Sequence, residues 1–312
     1  MAIRVQSSEQ TPVMPRRRRL RSAAFLPTLL TVGNLVCGFA AIHFALRAMY
    51  DFGAGVPSAM PLALQSSALE RMLPSFLSVG AGLVILGMLF DGFDGLVARA
   101  TRSTTNFGGQ LDSLADVVTC GVAPATLMLA FMTTQLAGDA IIPSPVSEHF
   151  LGRATWIAAA LYVAFAAIRL ARYNVEHAQA DFDYRSFRGL PSPGAAAILV
   201  AMILLQDQVG TTARYLIACT IPLVAVVIAG LMVSRIPYRR FYRAYLVGRQ
   251  PFGNVVTVLA VFAVFWSYKA PALLAIVLWY GASGPVFWVL RRLRERFRAL
   301  PAISTAKIEQ RA

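Results

Sequence analysis

The sequence predicts an all-α membrane protein, a bundle of helices that cross the bilayer several times. Of its 312 residues, 57% are hydrophobic and only 14% are charged, a composition typical of polytopic membrane proteins. The hydrophobic residues fall in long runs, and the basic residues cluster at the ends of those runs. Since a helix needs about 20 apolar residues to cross the hydrocarbon core, each long run is a candidate span.

Eight runs qualify as candidate transmembrane helices. In chain order they are 26–46, 76–98, 116–135, 154–172, 192–206, 214–233, 253–268 and 271–290. The fifth and the seventh are shorter than a full span. The first run is too long for the apolar part of a secretory signal and is followed by no small-residue cleavage site, so we expect a retained helix.

The basic residues predict the orientation of the bundle. With the N-terminus in the cytoplasm, 24 of the 29 lysine and arginine residues fall in cytoplasmic segments. The five exceptions are Arg47, Arg71, Arg153, Arg214 and Lys269. This asymmetry predicts that both termini are cytoplasmic. It also indicates that the basic N-terminal segment meets anionic lipid headgroups rather than nucleic acid.

Four aspartates interrupt the apolar sequence between residues 89 and 118. Asp91 and Asp94 are three residues apart on the second predicted span, so they share one side of that helix. Asp112 and Asp116 lie one turn apart on the next helix. Because the two helices are consecutive and antiparallel, we expect the four carboxylates to meet at one level near the cytoplasmic interface.

Four carboxylates that meet in a membrane need a counter-charge, because like charges repel one another. Hard divalent cations bind oxygen ligands, and Mg²⁺ commonly binds carboxylates together with substrate phosphates. Two such ions suit phosphoryl chemistry. Two other interpretations stay open: the aspartates pair with nearby arginines or cap helices, or they line a cation or proton path through a transporter. Their clustering at one end of the helices counts against such a path.

The same stretch resembles a known family. Residues 91–116, DGFDGLVARATRSTTNFGGQLDSLAD, match the signature of the CDP-alcohol phosphotransferases, D-x2-D-G-x2-A-R-x8-G-x3-D-x3-D, at every fixed position. The resemblance implies a six-helix catalytic core in which an alcohol displaces CMP from a CDP-linked donor. It also implies a divalent metal cofactor, Mg²⁺ or Mn²⁺ with two ions bound, and a homodimer.

The resemblance implies a role for each signature residue. Asp91, Asp94 and Asp112 would be metal ligands, and Asp116 would be the general base that also contacts the second ion. The CDP-binding residues would be Gly95, Ala98, Arg99 and Gly108. Thr31 and Asn34 on the first span are further candidates, which either bind the nucleotide or join helices through hydrogen bonds.

Stretches that flank the signature are similar to the membrane-embedded phosphatidylserine synthases. They are LPTLLTVGNLVCGF (26–39), FGGQLDSLADVVTCGVAPA (107–125), which overlaps the signature, IRLARYNV (168–175), FRGLPSPGAAA (187–197) and LMVSRIPYRRF (231–241). This similarity implies CDP-diacylglycerol as the donor and L-serine as the acceptor. Arginine suits bidentate carboxylate recognition, so Arg169 and Arg172 are candidate acceptor-binding residues, with Asn174 and Ser113 as further candidates. Alternatively, both arginines anchor the helix at the cytoplasmic interface, or one pairs with a site aspartate. The alternatives are another acceptor (inositol phosphate, glycerol 3-phosphate or choline) or a cation transporter with an acidic site.

The predicted organisation has four segments. They are a basic cytoplasmic segment at 1–24, a CDP-alcohol phosphotransferase membrane domain at 25–245, two additional transmembrane helices at 246–290 and a basic cytoplasmic tail at 291–312. The expected location is the cytoplasmic membrane, with membrane lipids around the bundle and the site at its cytoplasmic face.

Overall fold

The computed structural model describes residues 25–55, 73–101, 106–135, 143–177, 186–239 and 251–299, and nearly all of these are helical. The helices are α1 (Phe25–Gly53), α2 (Phe76–Thr101), α3 (Asn106–Asp116), α4 (Ala123–Gln135), α5 (Phe150–His177), α6 (Ser192–Leu205), α7 (Thr211–Val233) and α8 (Pro251–Ala299). A π-helical turn, Val117–Val122, joins α3 to α4, and a 3-10 turn, Gln206–Gln208, follows α6. The predicted all-α fold is confirmed.

Six helical segments within the described ranges are long and apolar enough to cross a membrane. They are Leu26–Gly53, Phe76–Gly95, Phe107–Gln135, Phe150–Glu176, Thr211–Val233 and Ala270–Arg294. The segment formed by α6 and its 3-10 turn, Ser192–Gln208, is apolar but shorter. The chain is therefore a multi-pass membrane protein. The exact number of spans and the side on which the termini lie stay predictions.

The C-terminal helix differs from the sequence-based expectation. The sequence predicts two helices at 253–268 and 271–290, whereas the structure has the single helix α8. Only Lys269 and Ala270 separate the two predicted spans, which leaves too few residues for the chain to reverse direction. Pro271 removes one backbone hydrogen bond, and this bends a helix without having to end it. Helix α8 packs mainly against α6.

Helices α3 and α4, joined by the π-helical turn, lie at the centre of the bundle. On α4, Leu127, Met128 and Phe131 are fully buried. Helices α1 and α2 pack along one another, and α1 also packs against α3 and the π-helical turn. Small residues allow this close approach: a Cβ atom on Gly80 of α2 would lie 3.2 Å from the carbonyl oxygen of Ala41 on α1. Helix α1 therefore fixes α2 and α3 relative to one another.

A short antiparallel ribbon ties the start of α6 to the end of α7. It pairs β1 (Ser186–Arg188) with β2 (Pro237–Arg239). Gly189 follows β1 with a φ of +85°, and a Cβ atom there would overlap the carbonyl oxygen of Met232, so glycine is required at this position. The ribbon was not anticipated from the sequence, and it is too small to change the fold class.

Candidate metal centre

The structure brings together three of the four predicted aspartates. Asp91 on α2 and Asp112 and Asp116 on α3 each offer one carboxylate oxygen, and these atoms lie within 4.8 Å of one another. Both helices pack against α1, and this common neighbour brings their acidic faces together. The segment that connects them, residues 102–105, lies outside the described ranges. We call these three residues the carboxylate cluster.

Asp94 is not among the three carboxylates that lie within 4.8 Å of one another, and its side chain contacts α1. Its side chain is buried, and its Oδ2 accepts a hydrogen bond of 2.8 Å from Thr31 Oγ1. Thr31 Oγ1 also lies 3.1 Å from the carbonyl oxygen of Pro27 in its own helix. A hydroxyl carries a single proton, so these two acceptors share it. The role of Asp94 as a metal ligand stays a prediction.

Asn34 holds Asp116 in a similar way. Its Nδ2 donates to Asp116 Oδ1 at 3.2 Å, and the asparagine side chain is fully buried. Thr31 and Asn34 were expected either to bind the nucleotide or to join helices, and the structure places both on carboxylates across a helix interface. Their contacts agree with the second expectation, and nucleotide binding stays a prediction.

The donor set of the carboxylate cluster fits a divalent cation. Asp112 Oδ1 is buried and has no hydrogen-bond partner within the part of the chain that the structure describes. A buried carboxylate oxygen beside two other carboxylates is unfavourable unless a cation compensates it. Ligands made only of oxygen are those that Mg²⁺ and Mn²⁺ prefer. The three aspartates are thus suited to hold such an ion.

Arg169 brings positive charge to the carboxylate cluster. Its side chain is only 8% exposed on α5, and it lies close enough to Asp91 and Asp116 to attract both carboxylates. Its Nη1 donates to the hydroxyl of Ser192 at the start of α6. No ion pair within 4.0 Å joins Asp112 or Asp116 to an arginine among the described residues. One arginine therefore reduces the repulsion among the aspartates without pairing with them directly.

Arg172 has different partners from Arg169. Its Nη1 donates to the carbonyl oxygen of Val233, the last residue of α7, at 3.1 Å, and its Nε lies 3.7 Å from Glu176 Oε1. A cation at the last carbonyls of a helix interacts favourably with the helix dipole. These contacts fit a structural link between α5 and α7, and the predicted acceptor-binding role of Arg172 stays a prediction.

Ser113 and Asn174 form a polar pair beside the carboxylate cluster. Asn174 Nδ2 on α5 donates to Ser113 Oγ on α3 at 2.9 Å, and Ser113 directly follows Asp112 in the chain. Ser113 Oγ also lies 3.0 Å from the carbonyl oxygen of Gly109. The pair is accessible from outside the bundle, and the predicted acceptor-binding role of both residues stays a prediction.

The remaining signature residues lie along the same two helices. Gly95 on α2 and Gly108 on α3 are half-buried. The backbone of Ala98 and Arg99 continues α2, and their side chains lie outside the described part of the chain. The predicted nucleotide-binding roles of these four residues stay predictions.

The π-helical turn that directly follows Asp116 was not predicted from the sequence. Within this turn Thr119 and Cys120 are buried. Thr119 Oγ1 donates to the carbonyl oxygen of Asn34 at 2.9 Å, and Tyr162 Oη donates to the carbonyl oxygen of Cys120 at 2.8 Å. The only signal in the sequence is one threonine followed by two small residues within an apolar run, which does not distinguish a π turn from an α turn.

Comparisons with known proteins agree with the site. A family model described as CDP-alcohol phosphatidyltransferase matches residues 24–229. The CDP-diacylglycerol–serine O-phosphatidyltransferase of Helicobacter pylori is 37% identical over 163 residues, 51% of this chain and 60% of that protein. The protein of the same name from Mycobacterium leprae is 26% identical over 266 residues, which are 81% of this chain and 73% of that protein. The protein of the same name from Methanocaldococcus jannaschii is 33% identical over 159 residues, which are 51% of this chain and 63% of that protein. The match therefore spans less than two thirds of the Helicobacter and Methanocaldococcus proteins.

Proposed function

Because this chain belongs to the CDP-alcohol phosphatidyltransferase family, we propose that it transfers the phosphatidyl group of CDP-diacylglycerol to L-serine, giving phosphatidylserine and CMP. The observation that carries the proposal is the approach of the Asp91, Asp112 and Asp116 carboxylates to within 4.8 Å in a bundle of apolar helices. The names of three relatives support serine as the acceptor.

In the proposed reaction the serine hydroxyl oxygen attacks the phosphorus atom that carries the diacylglycerol. A new phosphorus–oxygen bond forms, and the bond from that phosphorus to the bridging oxygen breaks, so that CMP leaves. Asp116 accepts the hydroxyl proton as general base. The hydrogen bond from Asn34 Nδ2 to Asp116 Oδ1 leaves the other carboxylate oxygen available for that proton.

The proposed cofactor is a divalent metal, Mg²⁺ or Mn²⁺, with two ions bound. Asp91, Asp94, Asp112 and Asp116 would hold them. When bound, the metal would neutralise the diphosphate and make CMP a better leaving group. Thr31 would keep one oxygen of Asp94 oriented through its 2.8 Å hydrogen bond. The support for the metal site is the buried Oδ1 of Asp112, which has no hydrogen-bond partner among the described residues.

The nucleotide half of the donor would bind along α2 and α3, on either side of the aspartates. The residues proposed for CDP binding are Gly95, Ala98, Arg99 and Gly108, with Thr31 and Asn34 from α1. Glycine and alanine would allow a phosphate to approach the backbone closely, and Arg99 would pair with a phosphate. The acyl chains would stay among the lipids beside the bundle.

For the acceptor, the contacts favour Arg169 over Arg172 as the residue that binds the serine carboxylate. Arg169 lies beside the aspartates, whereas the guanidinium of Arg172 contacts Val233 and Glu176. Ser113 and Asn174 would add hydrogen bonds at the accessible rim of the site. Arginine presents two parallel donors to a carboxylate, which fixes both its position and its orientation.

The proposed location of the site is the cytoplasmic face of the cytoplasmic membrane, with both termini cytoplasmic. Arg169 and Arg172 lie in the last third of α5, Arg169 beside the aspartates, and Arg235 follows α7 at the same end of the bundle. Such an excess of arginine is typical of the cytoplasmic side. A homodimer is proposed from the family resemblance.

The test is CMP release by the purified protein in detergent, with CDP-diacylglycerol and Mg²⁺ or Mn²⁺. L-Serine is compared with glycerol 3-phosphate, inositol, inositol phosphate and choline, and the lipid product is identified. Serine-dependent release with formation of phosphatidylserine supports the proposal. Release with a different acceptor would keep the aspartate chemistry and reject serine, and no release from folded protein would reject the transferase itself.

A further inference from the structure

The π-helical turn sets the direction in which Asp116 points. It begins at Val117, and the N–H of Ala123 bonds to the carbonyl oxygen of Val118, five residues earlier. Such turns occur in α-helices mostly as single bulges, often at functional sites. Compared with a regular α turn, the wider turn rotates α3 about the helix axis relative to α4 by roughly 100°, the angle of one residue. The orientation of α3 relative to the buried α4 thus depends on this turn.

Two buried side chains hold the turn from opposite neighbours. Thr119 Oγ1 donates to the carbonyl oxygen of Asn34 on α1 at 2.9 Å, and Tyr162 Oη on α5 donates to the carbonyl oxygen of Cys120 at 2.8 Å. Both side chains are 0% exposed. A buried backbone carbonyl or hydroxyl that loses its partner is strongly unfavourable, so these bonds favour the observed backbone over a regular α-helix.

Two glycines allow α1 and α2 to approach the turn closely. A Cβ atom on Gly38 of α1 would lie 2.9 Å from Thr119 Cα, and one on Gly87 of α2 would lie 2.7 Å from Thr119 Cγ2. Both distances are shorter than real Cβ contacts. The bundle is therefore built around the turn, with space for glycine alone at the two points where the helices touch it.

These contacts lead back to the proposed general base. Asn34 accepts from Thr119 through its backbone oxygen and donates to Asp116 Oδ1 through its side chain at 3.2 Å. We infer that Thr119 and Tyr162 are positioning residues of the transferase, which hold the π-helical turn so that Asp116 faces the other carboxylates. Neither side chain has to touch a substrate for this effect. The inference rests on the proposed function for the reaction that it affects.

The test compares Thr119→Val, Thr119→Ser and Tyr162→Phe with the wild type. Thr119→Val removes the hydroxyl at nearly constant volume, and Thr119→Ser retains it. Thr133→Val is the matched control, because Thr133 is a buried threonine of α4 whose hydroxyl donates only within its own helix, to Leu129, at 3.0 Å. For each protein, kcat and KM for both substrates are measured by CMP release. The melting temperature is measured without metal and with increasing Mn²⁺.

We expect Thr119→Val and Tyr162→Phe to lower kcat by about ten- to a hundredfold, since small misplacements of catalytic groups have effects of this size. The donor KM should stay near that of Thr133→Val. The metal-free melting temperature should fall below that of Thr133→Val, because each variant leaves a buried carbonyl without its donor, so kcat is compared per folded molecule. Thr119→Ser should restore most of kcat, and the rise in melting temperature with Mn²⁺ should be smaller in Thr119→Val and Tyr162→Phe than in the wild type.

The inference is wrong if both variants keep the kcat of Thr133→Val, or if their loss of activity only follows a loss of folded protein. Should Thr119→Val fail to fold, Tyr162→Phe decides by the same criteria. Failure of the proposed function gives a different result: the wild type then releases no CMP with any acceptor. The Mn²⁺-dependent melting temperatures still test the inference in that case, and equal rises in variants and wild type would overturn it.

Discussion

The two ends of the helix bundle both carry buried polar groups, but they satisfy them differently. At the end opposite the carboxylate cluster, Asp207 follows α6, and its Oδ2 accepts a hydrogen bond of 3.1 Å from Ser75 Oγ, just before α2. Arg214 Nε on α7 donates to the carbonyl oxygens of Gln206 and Val209, at 2.7 and 3.1 Å. There, the carboxylate of Asp207 lies among hydroxyl donors and a cation, and Asp207 and Arg214 both have partners within the protein.

At the carboxylate cluster the balance is reversed. Three carboxylates approach one another, Asp112 Oδ1 lacks a partner among the described residues, and Arg169 donates to Ser192 rather than to an aspartate. A polar network with unsatisfied members destabilises the fold, so this end is built for a ligand that supplies positive charge. The difference separates a polar cluster that is satisfied within the protein from one that is suited to hold a cation, although both contain an aspartate at a helix end.

The largest expected effect comes from removing the proposed general base. Asp116→Asn keeps the shape of the side chain but cannot accept the serine proton, so CMP release should fall by about 10²- to 10⁴-fold. Binding of CDP-diacylglycerol should change little, as measured by equilibrium binding of radiolabelled donor. Near-normal turnover in this variant would remove Asp116 from the role of base.

Metal binding gives the second prediction. A ligand present at 100 times its dissociation constant stabilises the folded state by about 2.7 kcal/mol, so Mn²⁺ should raise the melting temperature of the wild type by several degrees. Asp112→Asn should abolish most of this rise, because it removes a charged oxygen ligand. The control is Asp207→Asn at the opposite end, which should respond to Mn²⁺ as the wild type does. An equal rise in all three proteins would mean that the metal binds elsewhere.

The third prediction concerns the acceptor. Losing a hydrogen bond to a charged group weakens binding by about 1.5–3 kcal/mol, so Arg169→Ala should raise the serine KM by roughly 10- to 100-fold and the donor KM much less. Arg172→Ala is the matched control, three residues along the same helix, and should affect stability more than the serine KM because it links α5 to Val233. Equal changes in the two KM values would refute the assignment of Arg169.

The sequence predicted the aspartates far better than it predicted the contacts that hold them. The spacing of Asp91, Asp112 and Asp116 reports helical periodicity, which is a local property of the chain, and the first six apolar runs correspond to helices for the same reason. The hydrogen bond from Thr31 to Asp94 joins residues 63 positions apart, and that from Asn34 to Asp116 joins residues 82 apart. No local pattern encodes such pairs.

The difference between local patterns and contacts between distant residues also explains where the prediction was wrong or incomplete. Two separate helices were expected at 253–268 and 271–290, yet α8 runs through both ranges as one helix that contains Pro271. The π-helical turn was not foreseen because it depends on Gly38, Gly87 and Tyr162, which lie on three other helices. Features that need several helices to be in place can be recognised only once the bundle is assembled.

The smallest expected effect tests the other end of the bundle. Asp207→Asn removes the charge but keeps an oxygen that can accept from Ser75, so we expect a loss of about 1 kcal/mol in the free energy of unfolding. CMP release per folded molecule should stay within about twofold of the wild type, since no substrate has to reach this end. A loss of activity comparable to that of Asp116→Asn would show that the two ends are coupled. The distinction drawn above, between an aspartate whose partners lie within the protein and a carboxylate cluster that needs a bound cation, would then have to be abandoned.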